Sequence, residues 1–331
     1  MPTSSTPEWV LAAPRSALEA LRPLVAAHAA RGRVRLLLRD RLDPPAPAEV
    51  ASALGGAAGV LVAGDRRRSP RSVLPGPFLT APDGRSVPAG WLPLGRGGGQ
   101  PRFVAAAAEV VSRRRERVPL ALLGQWDEQV TRIVEKSLRI FGNGSAAKPL
   151  WWTADRMTRR DLLGALRLGL GAAVYYGHGR PYGWAGYHGL HNRHLQYARG
   201  RPAGAILSLT CRTAARSRAG ISFSEALVVE GVAAAAVGAV TPTRTVDNWW
   251  WGTRLCEVLA EGAETLGDLL TRARPMRPEA VAAYRIVGDP LAPLDGAPGA
   301  AAACARVWAP APGDPPAPPD YEALLARAAS T

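Results

Sequence analysis

The chain has 331 residues, of which 47% are hydrophobic and 21% are charged, and its formal net charge is +14. This length fits one large domain or two smaller ones, and the composition is ordinary for a globular protein. No run of about 18 apolar residues is present, which argues against a membrane span. The first residues lack the basic and apolar regions of a signal peptide, so we predict a cytoplasmic protein.

The basic excess is almost entirely arginine, since only Lys136 and Lys148 are lysines. Together with abundant alanine, glycine and proline, this is typical of a GC-rich genome. The charge is scattered and is not interleaved with aromatic residues, so no specific nucleic-acid partner is predicted. The three cysteines, Cys211, Cys256 and Cys304, are too few for a disulfide framework and fit a reducing compartment.

Residues 1–116 are predicted to form a small N-terminal α/β subdomain. Apolar residues at helical spacing predict a helix over 16–31, and short apolar runs predict strands over 33–39 and 59–64. A further helix fits 101–115. The glycine-rich stretch at 95–99 lacks the Lys-Ser/Thr pair of a phosphate-binding loop, so it predicts a turn.

Residues 117–295 alternate strands with helices, a pattern that favours a mostly parallel sheet. The first strand ends at Gly124, and Asp127 can cap the helix that follows over about 128–141. The remaining predicted strands cover 171–176, 203–209, 232–240 and 284–290, and the remaining helices cover 158–170, 222–230, 251–260 and 265–273. Residues 296–331 read as a Pro/Ala-rich linker and a short C-terminal helix.

Two of these strands end in reactive side chains. Residues 175–179 read Tyr-Tyr-Gly-His-Gly, and residues 207–213 read Leu-Ser-Leu-Thr-Cys-Arg-Thr. Neighbouring parallel strands would bring His178 and Cys211 to one edge of the sheet, where sites form in open α/β folds. A thiol and an imidazole at such an edge are the parts of a nucleophile and its acid/base partner.

The ordered set of motifs resembles the gingipain-type cysteine peptidases, which belong with caspases and legumains to the caspase-fold group. After the two segments above come 222–227 (Ser-Phe-Ser-Glu-Ala-Leu), an Ala/Gly/Val strand, and the Gly-Asp-Pro turn at 288–290. The resemblance covers roughly 117–294, and residues 83–94 are similar to the segment that joins the two halves in that family. It implies a caspase-like α/β fold, with a mostly parallel sheet flanked by helices.

The resemblance also implies the chemistry. Cys211 would attack a peptide carbonyl, and His178 would protonate the leaving amine. The backbone N–H groups of Gly179 and Cys211 are the expected oxyanion donors. The implied activity is that of a cysteine endopeptidase with protein or peptide substrates, without cofactor or metal. Without an export signal, regulated intracellular proteolysis, with a regulatory protein partner, fits better than secretion.

The expected substrate pocket lies after the next strand, in a predicted loop over 241–251. There Asp247, Trp249 and Trp250 would form part of a wall. The family alignment places Asp127 where arginine-specific members carry their pocket acid, which suits a substrate arginine or lysine at P1. The alternative is that Asp127 serves only as a helix N-cap.

Two other function classes stay open on the sequence. One is a catalytically silent caspase-fold module that binds a partner, through the tryptophan cluster for example. The other is a zinc hydrolase using His188, His191 and His194, although no acid follows at ligand spacing and Gly189 disfavours a shared helix. We interpret these histidines as loop residues near the cleft, Cys256 as a core residue and Cys304 as inert.

Overall fold

A computed structural model of the chain describes residues 8–95, 100–113, 119–142, 149–217, 220–274 and 277–294. The predicted linker and C-terminal helix over 296–331, with Cys304, lie outside these ranges. Within them, no helix has the length and apolarity needed to cross a bilayer.

The structure contains strands and helices that alternate along most of the chain. The strands are β1 Glu8–Pro14, β2 Arg33–Arg39, β3 Ala57–Asp65, β4 Phe78–Thr80, β5 Ser86–Leu94, β6 Leu120–Gly124, β7 Leu150–Thr153, β8 Ala172–Tyr176, β9 Gly179–Arg180, β10 Gly183–Trp184, β11 Leu190–His191, β12 Ala203–Leu209, β13 Ala233–Ala239 and β14 Tyr284–Gly288. The helices are α1 Leu18–Ala29, α2 Pro47–Ser52, α3 Pro70–Val73, α4 Pro101–Ser112, α5 Glu128–Ile140, α6 Arg159–Ala165, α7 Gly186–Gly189, α8 Phe223–Val229, α9 Thr245–Glu261, α10 Leu266–Arg272 and α11 Pro278–Ala282, with 3-10 turns at Arg15–Ala17 and Asn192–Ala198.

One large sheet runs through the described part of the chain. Its strand order is β2-β1-β3-β5-β14-β13-β12-β8-β6-β7, with β4 paired to β5. Most neighbouring strands are parallel, whereas β14 runs antiparallel to β13. The predicted α/β fold with a mostly parallel sheet flanked by helices is therefore confirmed. Both predicted subdomains contribute strands to this sheet, and the boundary at residue 116 stays a prediction.

Strands β8 and β12 direct their side chains into two different layers of the structure. Tyr176 of β8 and Leu209 of β12 face α9, because a methyl group added at Gly252 would lie 2.5 Å and 2.7 Å from their side chains. Ser208, one residue earlier, faces the other layer, where its hydroxyl accepts a hydrogen bond from the Trp184 indole at 2.9 Å. Because side chains alternate along a strand, the two layers lie on opposite faces of the sheet.

Several elements differ from the sequence predictions. Residues 245–251 were expected in a loop, but α9 begins at Thr245, with Asp247 in the first turn, where an acid favours the helix dipole. The predicted helix over 158–170 ends at Ala165, before Gly169 adopts a left-handed conformation (φ +80°). The stretch after His178 folds into a small antiparallel sheet, β11-β10-β9, instead of a plain loop.

A buried polar cluster occupies the amino edge of the sheet. Because β14 runs antiparallel to β13, Asp289 lies beside the start of β13, where its N–H donates to the Ala234 carbonyl at 2.9 Å. Its fully buried carboxylate accepts from the Trp9 indole at 3.2 Å, lies 2.8 Å from His28 Nε2, and accepts from the Leu291 N–H at 3.0 Å. The cluster therefore ties the first strand and helix to the last strand.

Candidate active site

His178 and Cys211 lie at the carboxyl edge of two adjacent parallel strands. In the register of β8 and β12, Tyr176 lies opposite Leu209, and the two reactive residues follow these positions by two residues each. Neighbouring strands are about 4.8 Å apart. The His178 side chain is exposed, and Cys211 is partly buried. The structure thus brings both residues to one solvent-accessible edge.

Gly179 is pressed against the segment that carries the cysteine. A Cβ atom at position 179 would lie 2.6 Å from the Cys211 carbonyl oxygen and 2.6 Å from Thr210 Cγ2. Both distances are too short for carbon, so this approach requires the missing side chain of glycine. The loops after β8 and β12 are therefore in direct contact at this point.

The main chain of His178 is held from three sides. Its N–H donates to the Gln125 side-chain oxygen at 3.0 Å. Its carbonyl accepts from the Ala185 N–H at 2.9 Å and from the Tyr175 hydroxyl at 3.2 Å. Burial raises the pKa of Tyr175, so the phenol keeps the proton that it donates. The backbone is fixed while the imidazole stays exposed.

The sulfur of Cys211 is directed at Thr243, in the loop after β13. The Thr243 N–H donates to the sulfur at 3.3 Å, and the Thr243 carbonyl and hydroxyl oxygens lie 3.6 Å from it. Among the described residues, every hydrogen-bond partner of this sulfur belongs to Thr243, so the His178 imidazole is not bonded to it. A backbone N–H aimed at the sulfur stabilises negative charge there.

A buried hydrogen-bond network supports this loop. The Asn248 amide donates to the Thr243 hydroxyl at 2.9 Å and to the Leu209 carbonyl at 3.2 Å. The Tyr284 hydroxyl donates in turn to the Asn248 oxygen at 2.7 Å, and burial raises the pKa of Tyr284. Sequence reasoning missed these three polar residues. The available signal was one asparagine in an apolar, tryptophan-rich stretch.

A cleft of about 610 Å³ lies between α5 and the start of α9. Trp249 lines it, and the Lys136 ammonium lies 4.4 Å from the centre of a Trp249 ring. Asp127 immediately precedes the lining residue Glu128, and its carboxylate caps α5 by accepting the Val130 N–H at 3.1 Å. The N-cap alternative for Asp127 is therefore observed in the structure, and Asp127 itself is not among the residues that line this cleft.

The other two predicted pocket residues have different surroundings. The Asp247 carboxylate pairs with Arg277 at 3.3 Å and with Arg244 at 4.0 Å, so its charge is already compensated. Trp250 is 61% exposed, and its ring centre lies 5.0 Å from that of Trp249. Of the predicted wall, only Trp249 lines the cleft.

The three histidines considered as metal ligands do not share a helix. His188 lies in a left-handed turn (φ 55°), His191 in β11 and His194 in the 3-10 turn. The structure shows no group of three His, Cys, Asp or Glu side chains, within the described ranges, that could hold a metal ion.

Cys256 belongs to the core, as predicted. It is fully buried on α9, and burial raises the pKa of its thiol to about 11.

Comparisons with known proteins bear on the family and the fold of the chain. The family model for peptidase family C25 matches residues 110–295, more than half of the chain. The crystal structure of the Arg-specific cysteine proteinase gingipain R is similar, with a TM-score of 0.66 and 13% identity, over 88% of this chain and 79% of that chain. The complex of the pro- and mature domains of Porphyromonas gingivalis RgpB gives 0.65 and 13%, over 86% and 79%. No curated protein matches the chain.

The structural similarity shows a shared fold, and the family-model match shows membership of the family. The resemblance predicted from the ordered motifs is thus confirmed. The chain belongs to peptidase family C25 and is a cysteine-type peptidase.

Proposed function

We propose that this peptidase is an endopeptidase in which Cys211 is the nucleophile and His178 the acid/base partner. The close approach of Gly179 to the Cys211 carbonyl supports this assignment above all, because it joins the two loops where a substrate carbonyl would have to bind. The exposure of the His178 ring and the partial exposure of Cys211 leave both accessible to a peptide.

The proposed reaction has two stages. The Cys211 thiolate adds to the scissile carbonyl, and the resulting oxyanion accepts hydrogen bonds from the backbone N–H groups of Gly179 and Cys211. The C–N bond then breaks, and His178 gives a proton to the departing amine. Water hydrolyses the thioester to release the acid and regenerate the thiol. Since the imidazole is not bonded to the thiol, its position suits the leaving amine better than direct proton removal from sulfur.

A basic P1 residue is the substrate preference that we propose. Asp127 is exposed and directly precedes Glu128, which lines the cleft beside α5, and the ring of Trp249 already accepts one ammonium group, that of Lys136. A substrate arginine would replace this contact and pair with the carboxylate. Gingipain R, which has a similar fold, is an Arg-specific cysteine proteinase, and this points the same way.

The biological setting that we propose is regulated proteolysis inside the cell, under control of a protein partner. The RgpB complex with its pro-domain offers a precedent for partner control in the same fold. We also propose that residues 1–116, 117–295 and 296–331 act as an N-terminal subdomain, a catalytic domain and a tail.

The experiment is cleavage profiling with a peptide library for the wild type, Cys211→Ala and Asp127→Asn. The wild type should cleave after arginine or lysine, and Cys211→Ala should be inactive. Asparagine caps a helix about as well as aspartate, so Asp127→Asn should keep stability while weakening the basic preference. If Cys211→Ala cleaves peptides as fast as the wild type, the proposed mechanism is wrong. If the P1 preference of Asp127→Asn is unchanged, the assignment of Asp127 to the pocket is wrong.

A silent, partner-binding module is the second candidate. It is favoured by the sulfur's contacts with Thr243 and by two highly exposed tryptophans, Trp126 at 64% and Trp250 at 61%. This alternative predicts no turnover by the wild type in the same library and loss of partner binding on Trp250→Ala.

A further inference from the structure

A strongly basic surface lies beside the small sheet that follows His178. We call the surface formed by α6, β9–β11 and the 3-10 turn at 192–198 the basic face. It contains a groove of about 800 Å³ without any carboxylate in its lining. The polar lining residues that matter here are Arg159, Arg160, Arg167, His188, His194 and Tyr197.

Among the described residues, no carboxylate forms an ion pair with an arginine of the basic face. Arg159 donates to two carbonyls of the 186–189 turn at 3.0 and 3.2 Å, and Arg180 donates to the Tyr182 hydroxyl at 3.0 Å. Arg193 bonds a neighbouring imidazole at 3.3 Å. Elsewhere in the structure many arginines pair with a carboxylate, as in the α1, α5 and α9 helices.

Two more cations of the groove, Arg160 and Arg167, are exposed and make no ion pair with a residue that the structure describes. The nearby Asp161 carboxylate is engaged in a capping box, where it accepts from the Thr158 N–H at 3.2 Å and from the Thr158 hydroxyl at 2.7 Å. The positive charge of this face is therefore left for an external partner.

The two histidines inside the basic face respond to this charge. Burial and the cationic groups of Arg193, Arg159 and Arg180 lower the pKa of His191. Burial, Arg159 and Arg193 likewise lower the pKa of His194, whose ring centre lies 5.5 Å from that of His191. Arg159 and Arg193 thus act on both rings, whereas Arg180 acts on His191, whose ring lies beside that of the groove residue His194.

The basic face is continuous with the active site. Arg180 directly follows Gly179, the residue that touches the Cys211 carbonyl. The small sheet packs on the face of the large sheet that carries Ser208, away from the α5–α9 cleft. A protein substrate with its scissile bond at Cys211 can therefore place a neighbouring segment on this surface.

We propose that the basic face is an exosite for an acidic segment, rich in aspartate and glutamate, of the protein substrate. This proposal rests on the proposed peptidase function of the same edge. Exposed cations attract such a segment at long range and hold it through charge-assisted hydrogen bonds. A nucleic acid fits less well, because base stacking needs several aromatic rings and Tyr197 is the one exposed aromatic residue in the groove.

The test compares peptides that share one arginine cleavage site. One has neutral flanks, and two carry a run of glutamates on the amino or the carboxyl side. One glutamate peptide should show a higher kcat/KM than the neutral peptide at low salt, and about 0.5 M salt should remove the gain. Replacing three exposed arginines (Arg160→Gln, Arg167→Gln and Arg193→Gln) should lower that kcat/KM roughly tenfold, through KM, and leave the neutral peptide unchanged.

The matched control removes the same net charge elsewhere, with Arg15→Gln, Arg22→Gln and Arg254→Gln, and should behave as the wild type. Equal kcat/KM for neutral and both acidic peptides would overturn the exosite, as would equal losses in the exosite variant and the control.

A binding measurement tests the exosite independently of catalysis. A fluorescent glutamate-rich peptide should bind the Cys211→Ala protein and lose affinity about tenfold in the exosite variant, even if no peptide is cleaved. No binding at low salt, or tighter binding of an oligonucleotide of equal charge, would contradict the proposal.

Discussion

The two edges of the central sheet each place a histidine among polar groups, but the surroundings differ. At the amino edge, His28 and Trp9 surround the Asp289 carboxylate, and all three side chains are buried. At the carboxyl edge, hydrogen bonds fix the main chain of His178, while its imidazole is exposed and the Cys211 thiol is partly exposed. A buried cluster of hydrogen-bonded side chains stabilises a fold, whereas a cluster with a fixed main chain and exposed side chains can bind a substrate.

The comparison predicts that substitutions at the carboxyl edge reduce catalysis and that those at the amino edge reduce stability. The largest effect is expected for His178→Ala. Loss of a positioned acid/base should reduce kcat by about 10²–10⁴-fold. Because the ring is exposed, the melting temperature should stay near that of the wild type. Steady-state kinetics measures the fall in kcat, and calorimetry on the same sample measures the melting temperature. Strong destabilisation would contradict the account.

The next largest effect is expected for Asp289→Ala at the amino edge. It leaves the buried Trp9 indole and His28 imidazole without their partner, which should lower the free energy of unfolding by about 3 kcal/mol. Activity per folded molecule, measured well below the melting temperature, should be preserved. Denaturant unfolding with active-site titration measures both. A variant of normal stability with reduced kcat would reverse the roles of the two edges.

Gly179→Ala tests the contact between the two loops at the carboxyl edge. The added methyl would lie 2.6 Å from the Cys211 carbonyl oxygen, so one loop must move. We expect kcat/KM to fall by roughly 10²-fold, comparable to the loss of one oxyanion donor. Gly164→Ala is a matched control, because nothing lies within 4 Å of a methyl group there. Wild-type kinetics for Gly179→Ala would show that the approach is not needed.

Asn248→Ala should give the smallest of these effects. It releases Thr243 and removes the partner of the Tyr284 hydroxyl. We expect kcat to fall about tenfold, as for a modest misplacement of a reacting group, with a stability loss of about 1–2 kcal/mol. Tyr284→Phe removes only the outer hydrogen bond and should retain more activity. Identical kcat values for both variants and the wild type would indicate that the network serves the fold alone.

The sequence predicts the carboxyl edge well because its signals are local. The apolar runs before His178 and Cys211 are bounded by glycine or proline, and parallel strands bring their ends together. The residue types at this edge, a cysteine and a histidine, likewise indicate the proposed chemistry. The ordered motifs resemble those of the family, and this resemblance predicts the fold, including the mostly parallel sheet.

What the sequence did not show depends on contacts between distant segments. Asn248 reaches Leu209, and Asp289 reaches Trp9 and His28, through folding that no local pattern encodes. The family resemblance predicted a pocket loop for the tryptophan-rich stretch at 249–251, and no cap residue signalled the helix, whose N-cap is Arg244 without a side-chain hydrogen bond. The strands of the small sheet have two residues each, too few for an alternating pattern.

The central claim is that Cys211 is a nucleophile assisted by His178, and alkylation rates resolved by site test it most directly. Wild-type protein and His178→Ala would be treated with dilute iodoacetamide at mildly alkaline pH, and mass spectrometry would follow Cys211 and Cys256. Cys256 is an internal reference, because it is buried and its pKa is raised to about 11. The account predicts that Cys211 reacts at least about 100-fold faster than Cys256 in both proteins, because His178 is not bonded to the sulfur, and that only the wild type turns over peptide substrate efficiently. A Cys211 rate equal to that of Cys256, or undiminished turnover by His178→Ala, would contradict it.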